Sequence, residues 1–200
     1  MWLHDYIVAH TGEDGAFYLQ IAKHIAQGQG VTFDGISPTT GVHWGWVLLL
    51  AGWLRLFGGD FDTAAALYFV CLFIAAGLAG LSIGGRNGAL AAVFLVLLLG
   101  SRGQWLMETH LLVFAMAAFY LIPSPLSAFA VTFVRVDLLL FILTISLLLR
   151  KPRLFIGALG AAIATFSLNY YTDGHLLSVS GTIKAGYGWN DWSAIWENIR

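Results

Sequence analysis

The sequence predicts an all-α protein, a polytopic bundle of transmembrane helices with interfacial helices in a first outer loop. Three observations carry that expectation. Of 200 residues, 58% are hydrophobic and only 10% charged, where a soluble domain carries about 25% charged residues. The stretch "AAALYFVCLFIAAGLAGLSI" (64–83) holds neither charge nor proline, and about 20 such residues cross a bilayer core as a helix. Four more apolar runs follow, "ALAAVFLVLLLG", "LLVFAMAAFYLI", "LLLFILTISLLL" and "LFIGALGAAIATFSL", each bounded by Gly, Pro or charge. Helices apolar on every side belong in a membrane or a deep core.

Taken in order, residues 1–61 form the outer loop. From Ala16 to Gln27, Phe17, Ile21 and Ile25 recur every four positions, the pattern of a one-faced helix lying along the interface. Gly28 and Gly30 stop it, and "DGISPTTG" is turn chemistry. "HWGWVLLLAGWLRLFGG" (43–59) has three tryptophans and Arg55; Trp favours the membrane–water boundary, so this reads as an interfacial or tilted helix.

The bundle occupies 62–170, and a long outer loop follows at 171–200. Arg and Lys are densest in "RKPR" (150–153), which marks the cytoplasmic side. Counting back from it gives spans at 62–83, 87–101, 108–122, 124–134, 137–149 and 153–170, with a hinge at "VRVD" (134–137). A rival count treats 43–58 as spanning and 124–149 as one continuous helix, which places Arg135 and Asp137 in mid-bilayer at roughly 2.5–3.5 kcal/mol each. The hinged count is preferred. It brings Glu13, Asp14, His43, Arg102, Glu108, Arg135 and Asp137 to one outer face, and ionisable residues at the membrane edge are functional candidates.

Composition excludes other classes. A net charge of −1 and a pI near 6.6 offer no basic patch for nucleic acid. The single cysteine, Cys71, rules out an internal disulfide. The beginning "MWLHDYIVAH" has neither the basic start nor the apolar length of a cleavable signal peptide. The six histidines show no metal-ligand spacing, and no metal is expected. "GLAG" and "GALGAA" read as small-residue packing surfaces.

The segment "EDGAFYLQIAKHIAQGQGVTFDGISPTTGVHWGW" resembles the first outer loop of GT-C type membrane glycosyltransferases, where an acidic pair precedes a short helix, "G-x-G" and a "P-T-N-G-x-H-P-L-W" motif. Here Thr40 stands for the Asn, and Trp44 for the Pro after His43. "MET" (107–109) resembles their second outer loop, "VRVD" their "L-T-R-x-D" hinge, and "NYYTDGHLLSVSGTIKAG" (169–186) their long outer loop. Relatives have a spanning helix before the acidic pair and several spans after the long loop, so the resemblance is to the front part of such an enzyme.

What it implies is transfer of a sugar from a polyprenyl-phosphate-linked donor to an acceptor glycan, lipid or protein. The reaction would lie on the non-cytoplasmic face of the inner membrane, with membrane lipid as surroundings. No further cofactor or divalent metal is implied. Asp14 maps onto the catalytic base, with Glu13 beside it, because an attacking hydroxyl needs a carboxylate to take its proton. Arg102, Arg135 and His43 are candidates to stabilise the departing phosphate, and Glu108 and Asp137 complete the binding set.

Each has a plainer reading. The acidic pair suits a helix N-terminus, Glu108 suits a cap of the following helix, and Arg102 an interface anchor. His43 suits a hydrogen-bonded structural role, and His175 and Lys184 a solvated loop. Two apart on a helix, Arg135 and Asp137 are not expected to pair. A non-catalytic subunit that binds a lipid-linked saccharide is the alternative function. A transporter is the third, although no inverted repeat is visible.

Overall fold

The computed structural model describes residues 13–100 and 106–178, and the regular elements among them are all helices, with one isolated Thr32–Pro38 bridge. Helix α1 (Glu13–Ala26) buries Tyr18, Leu19, Ile21 and Ala22, a stripe centred on the predicted Ile21. It ends before Gly28 and Gly30, whose φ values of 78° and 83° only glycine adopts without strain. Beyond it Asp34 Oδ1 accepts from the Ile36 and Ser37 amides at 2.8 and 2.7 Å, the turn expected from "DGISPTTG".

Helix α2 (Trp44–Phe57) packs on α1. Trp44 and Trp46 are buried, and their indole N–H groups donate to Asn169 Oδ1 and the Leu106 carbonyl at 2.7 and 2.6 Å. A buried indole finds an acceptor, and these two pin the start of α2 to distant segments.

Helix α3 (Phe61–Ile83) is capped by Asp60, which accepts from the Thr63 amide at 2.7 Å. It packs against α4 (Gly85–Gly100) and α5 (Thr109–Leu121). The Gly80 and Gly88 backbones touch at the α3–α4 turn, as "GLAG" predicts. Helix α6 (Pro125–Val134) opens with a Ser124–Ser127 capping box and proline in its first turn. It ends at Arg135, which is extended at φ −141°, ψ 100°. A 3-10 turn (Val136–Leu138) and α7 (Leu139–Leu148) follow. The hinge at "VRVD" is therefore real, and the continuous 124–149 helix is not formed.

Helix α8 (Pro152–Asp173) packs along α6 and α7. It approaches α6 so closely that a Cβ at Gly157 would strike the Pro125 carbonyl, the contact for which "GALGAA" is small. Its end reaches the start of α2 through Asn169. Its last turn also includes 171–173, expected in the outer loop.

Of the six expected spans, α3 and α8 are long and apolar enough to cross a membrane. Helices α5, α6 and α7 have 13, 10 and 10 residues. At 1.5 Å per residue they reach about 15–20 Å, short of a hydrocarbon core of about 30 Å.

Candidate functional site

Four of the predicted residues meet at one end of the bundle. Glu108, just before α5, is buried at 2% exposure. Its Oε1 accepts from Arg135 Nη1 at 3.1 Å and lies 3.3 Å from His43 Nε2. The Glu108 side chain makes no capping bond to α5, so the capping reading is set aside. Its second oxygen, Oε2, is buried without a hydrogen-bond partner among the described residues.

Arg135 and Asp137 also pair, against expectation. Nε and Nη2 of Arg135 donate to Oδ1 and Oδ2 of Asp137 at 3.0 and 2.9 Å, a bidentate clamp. The spacing rule that separates residues two apart holds only on a helix. Here Arg135 is extended and Asp137 sits in the 3-10 turn, so the two side chains swing to the same side.

The electrostatics follow from these contacts. The Arg135 guanidinium holds the Asp137 carboxyl below its usual range, against a smaller opposing effect of burial. Its own affinity for a proton is raised, first by its hydrogen bonds to Asp137. Burial lowers the His43 pKa, and the nearby Glu108 offsets only part of that. His43 is therefore a neutral imidazole near pH 7. Three of the five Arg135 N–H groups are committed to carboxylates, which leaves two without a partner among the described residues.

Asp14 does not join this network. It is an exposed residue of the first turn of α1 and lines a cavity of about 370 Å³ together with Tyr18, His43, Val136, Thr165 and Asn169. A second cavity of about 380 Å³ adjoins it, sharing Asp14, Tyr18 and Gly41 in its lining and lined further by Phe17 and Phe33. Those two rings stack at 5.1 Å. Burial, and to a lesser extent Glu108 and Asp14, push the Tyr18 phenol up, so it stays protonated and able to donate. Asp14 thus borders both spaces, and its carboxylate is chemically able to accept a proton from a bound hydroxyl.

Arg102, Lys184 and the Glu13 side chain lie outside the described residues. His175 is exposed beyond the end of α8, where its amide donates to Asp173 Oδ1 at 2.9 Å. Among the described residues no group of three His, Cys, Asp or Glu side chains is arranged to hold a metal ion.

Tyr18, Thr165 and Asn169 escaped the sequence reading. Tyr18 sits beside the α1 stripe, and Thr165 and Asn169 are a turn apart near the end of an apolar run. Two polar residues at i and i+4 in such a run are the signal that could have found them.

The chain matches no protein-family model, no curated protein and no solved structure.

Proposed function

We propose that this chain belongs to a membrane-embedded glycosyltransferase of the GT-C type that moves a sugar from a polyprenyl-phosphate donor to an acceptor hydroxyl, with Asp14 as general base. The observation that carries the reading is Asp14 in the lining of two adjoining cavities, near the Glu108–Arg135–Asp137 network in which Glu108 is buried. Two reactants meeting across one carboxylate is what a transfer reaction needs, since the base must reach the attacking hydroxyl within about 3 Å. The two uncommitted N–H groups of Arg135 are the donors for the lipid phosphate. The resemblance of "EDGAFYLQ", "PTTGVHW" and "VRVD" supports the same reading.

A multi-pass position in the inner membrane, with the site on the non-cytoplasmic face, is part of this proposal. Support comes from the outward surface of α3. Only 28% of its most apolar stretch is buried, and Val70, Phe73, Ile74 and Leu81 face outward. A core helix of a soluble protein would hide such side chains.

One observation favours the alternative of a subunit that binds a lipid-linked saccharide without turning it over. The single described guanidinium of the site is already balanced by two carboxylates, which weakens its help to a departing phosphate. The deciding experiment uses the full-length protein in proteoliposomes with undecaprenyl-phosphate-linked [14C]sugars. Enzyme catalysis predicts label transfer or slow hydrolysis that Asp14→Asn lowers by about 10²–10⁴ with donor binding intact. Donor binding without release of label, unchanged in Asp14→Asn, supports the alternative.

A further inference from the structure

Thr165 has an unusual position for a helical threonine. It is 7% exposed, and its Oγ1 has no hydrogen-bond partner among the described residues. A threonine in an apolar helix ordinarily returns its hydroxyl to the carbonyl four residues back, as Thr144 does to Leu140 at 2.9 Å in α7. Thr165 leaves that bond unmade and lines the cavity shared with Asp14, His43 and Val136. Thr132 is also buried without a partner but does not line this cavity. A hydroxyl withdrawn from water with nothing to bond is costly, and a ligand in the cavity would relieve that cost.

The neighbouring groups say which chemistry would do so. Asn169, one turn on, spends its carbonyl on Trp44 and one amide hydrogen on Leu176, which leaves its second N–H. Phe166 lies between them on the cavity wall. Asp14 and the protonated Tyr18 line the same cavity. His43 is neutral, and the positive charge of Arg135 is taken by Glu108 and Asp137. The cavity interior thus offers single hydrogen bonds and an aromatic face without net positive charge. That set suits a neutral ring bearing hydroxyls better than an anion.

Val136 joins this cavity to Arg135, the next residue. Resting on the donor reading above, we infer that Thr165 Oγ1 hydrogen-bonds a ring hydroxyl of the sugar carried by the donor and so selects among donors. The sugar fills the cavity, and its phosphate lies outward at Arg135.

The test titrates the full-length protein in nanodiscs with undecaprenyl phosphate alone and with the same lipid bearing glucose, galactose, mannose or N-acetylglucosamine. The wild type binds one sugar-bearing lipid tighter than the bare lipid and its epimers. Thr165→Val keeps the shape and removes a hydroxyl that has no partner in the empty protein, so folding is preserved. It weakens the preferred donor by about tenfold and leaves the bare lipid unchanged. Thr165→Ser restores the preference. Equal affinities in Thr165→Val and the wild type overturn the role of Thr165 while leaving donor binding standing. Sugar-bearing lipids bound no better than the bare lipid remove the sugar from the cavity. Absence of binding for every lipid overturns the donor reading itself, and this inference with it.

Discussion

Replacing Glu108 with alanine takes away the carboxylate on which His43 and Arg135 converge. The structure sets the size of the effect. One charge-assisted hydrogen bond, Arg135 Nη1 to Oε1 at 3.1 Å, is lost, worth about 1.5–3 kcal/mol. Removal of a side chain only 2% exposed adds a small cavity. Two features reduce the sum. Arg135 keeps its bidentate clamp on Asp137 and is 34% exposed, so its charge is not stranded in a dry interior. The orphaned Oε2 also disappears, and its desolvation cost with it. The net expectation is a loss of about 2–4 kcal/mol, which for a chain of this length lowers Tm by roughly 6–12 °C. Tryptophan fluorescence during heating in detergent reads it directly. A double-mutant cycle with Arg135→Met then isolates the pair, and the coupling should exceed about 1 kcal/mol. A Tm within 2 °C of the wild type, or additive single and double variants, would refute the claim that Glu108 ties α5 to the hinge.

Gly157→Ala should destabilise the protein by about 1–3 kcal/mol, because the new Cβ meets the Pro125 carbonyl, a backbone atom that cannot rotate away. Gly160→Ala on the same helix, whose Cβ would meet only Phe129 Cδ2 at 3.8 Å, should be neutral or slightly stabilising, and thermal unfolding of the two variants checks the contrast. His43 makes stability pH-dependent with a definite sign. Its folded-state pKa is depressed by burial, so below the ordinary histidine value of about 6.5 the unfolded chain takes a proton that the folded chain refuses. Stability contributed by His43 is complete above that value and falls as the solution is acidified, by less than about 1.4 kcal/mol per pH unit. His43→Gln should flatten the Tm profile between pH 7.5 and 5.5, and an unchanged slope would contradict the assignment.

Much of the helical architecture was legible because its signals are local. Apolar runs and their Gly, Pro and Ser punctuation placed α3, α6 and α8 within a few residues. The hinge at "VRVD" followed from the cost of burying Arg135 and Asp137 in mid-span. The small residues of "GLAG" and "GALGAA" marked where backbones touch. Periodicity could not fix every helix end: α7 begins at Leu139 after a 3-10 turn, and α8 runs on to Asp173.

The candidate site divides along the same line. Scarcity of charge singled out Asp14, His43, Glu108, Arg135 and Asp137 from the sequence, since every ionisable group in so apolar a chain requires a reason. Their pairing did not follow from it. Whether Arg135 meets Asp137 depends on a break in helical geometry at one residue. Whether Glu108 caps a helix or accepts from Arg135 depends on how α5 and α6 pack, across 27 positions of sequence. The cavity beside Asp14 is made by α1, the 3-10 turn and the end of α8. Residue type and local period determined which elements form and which side chains are chemically able. Only the tertiary structure decided which of them share a hydrogen bond, because such bonds act over about 3 Å and the chain must fold to bring distant residues that close.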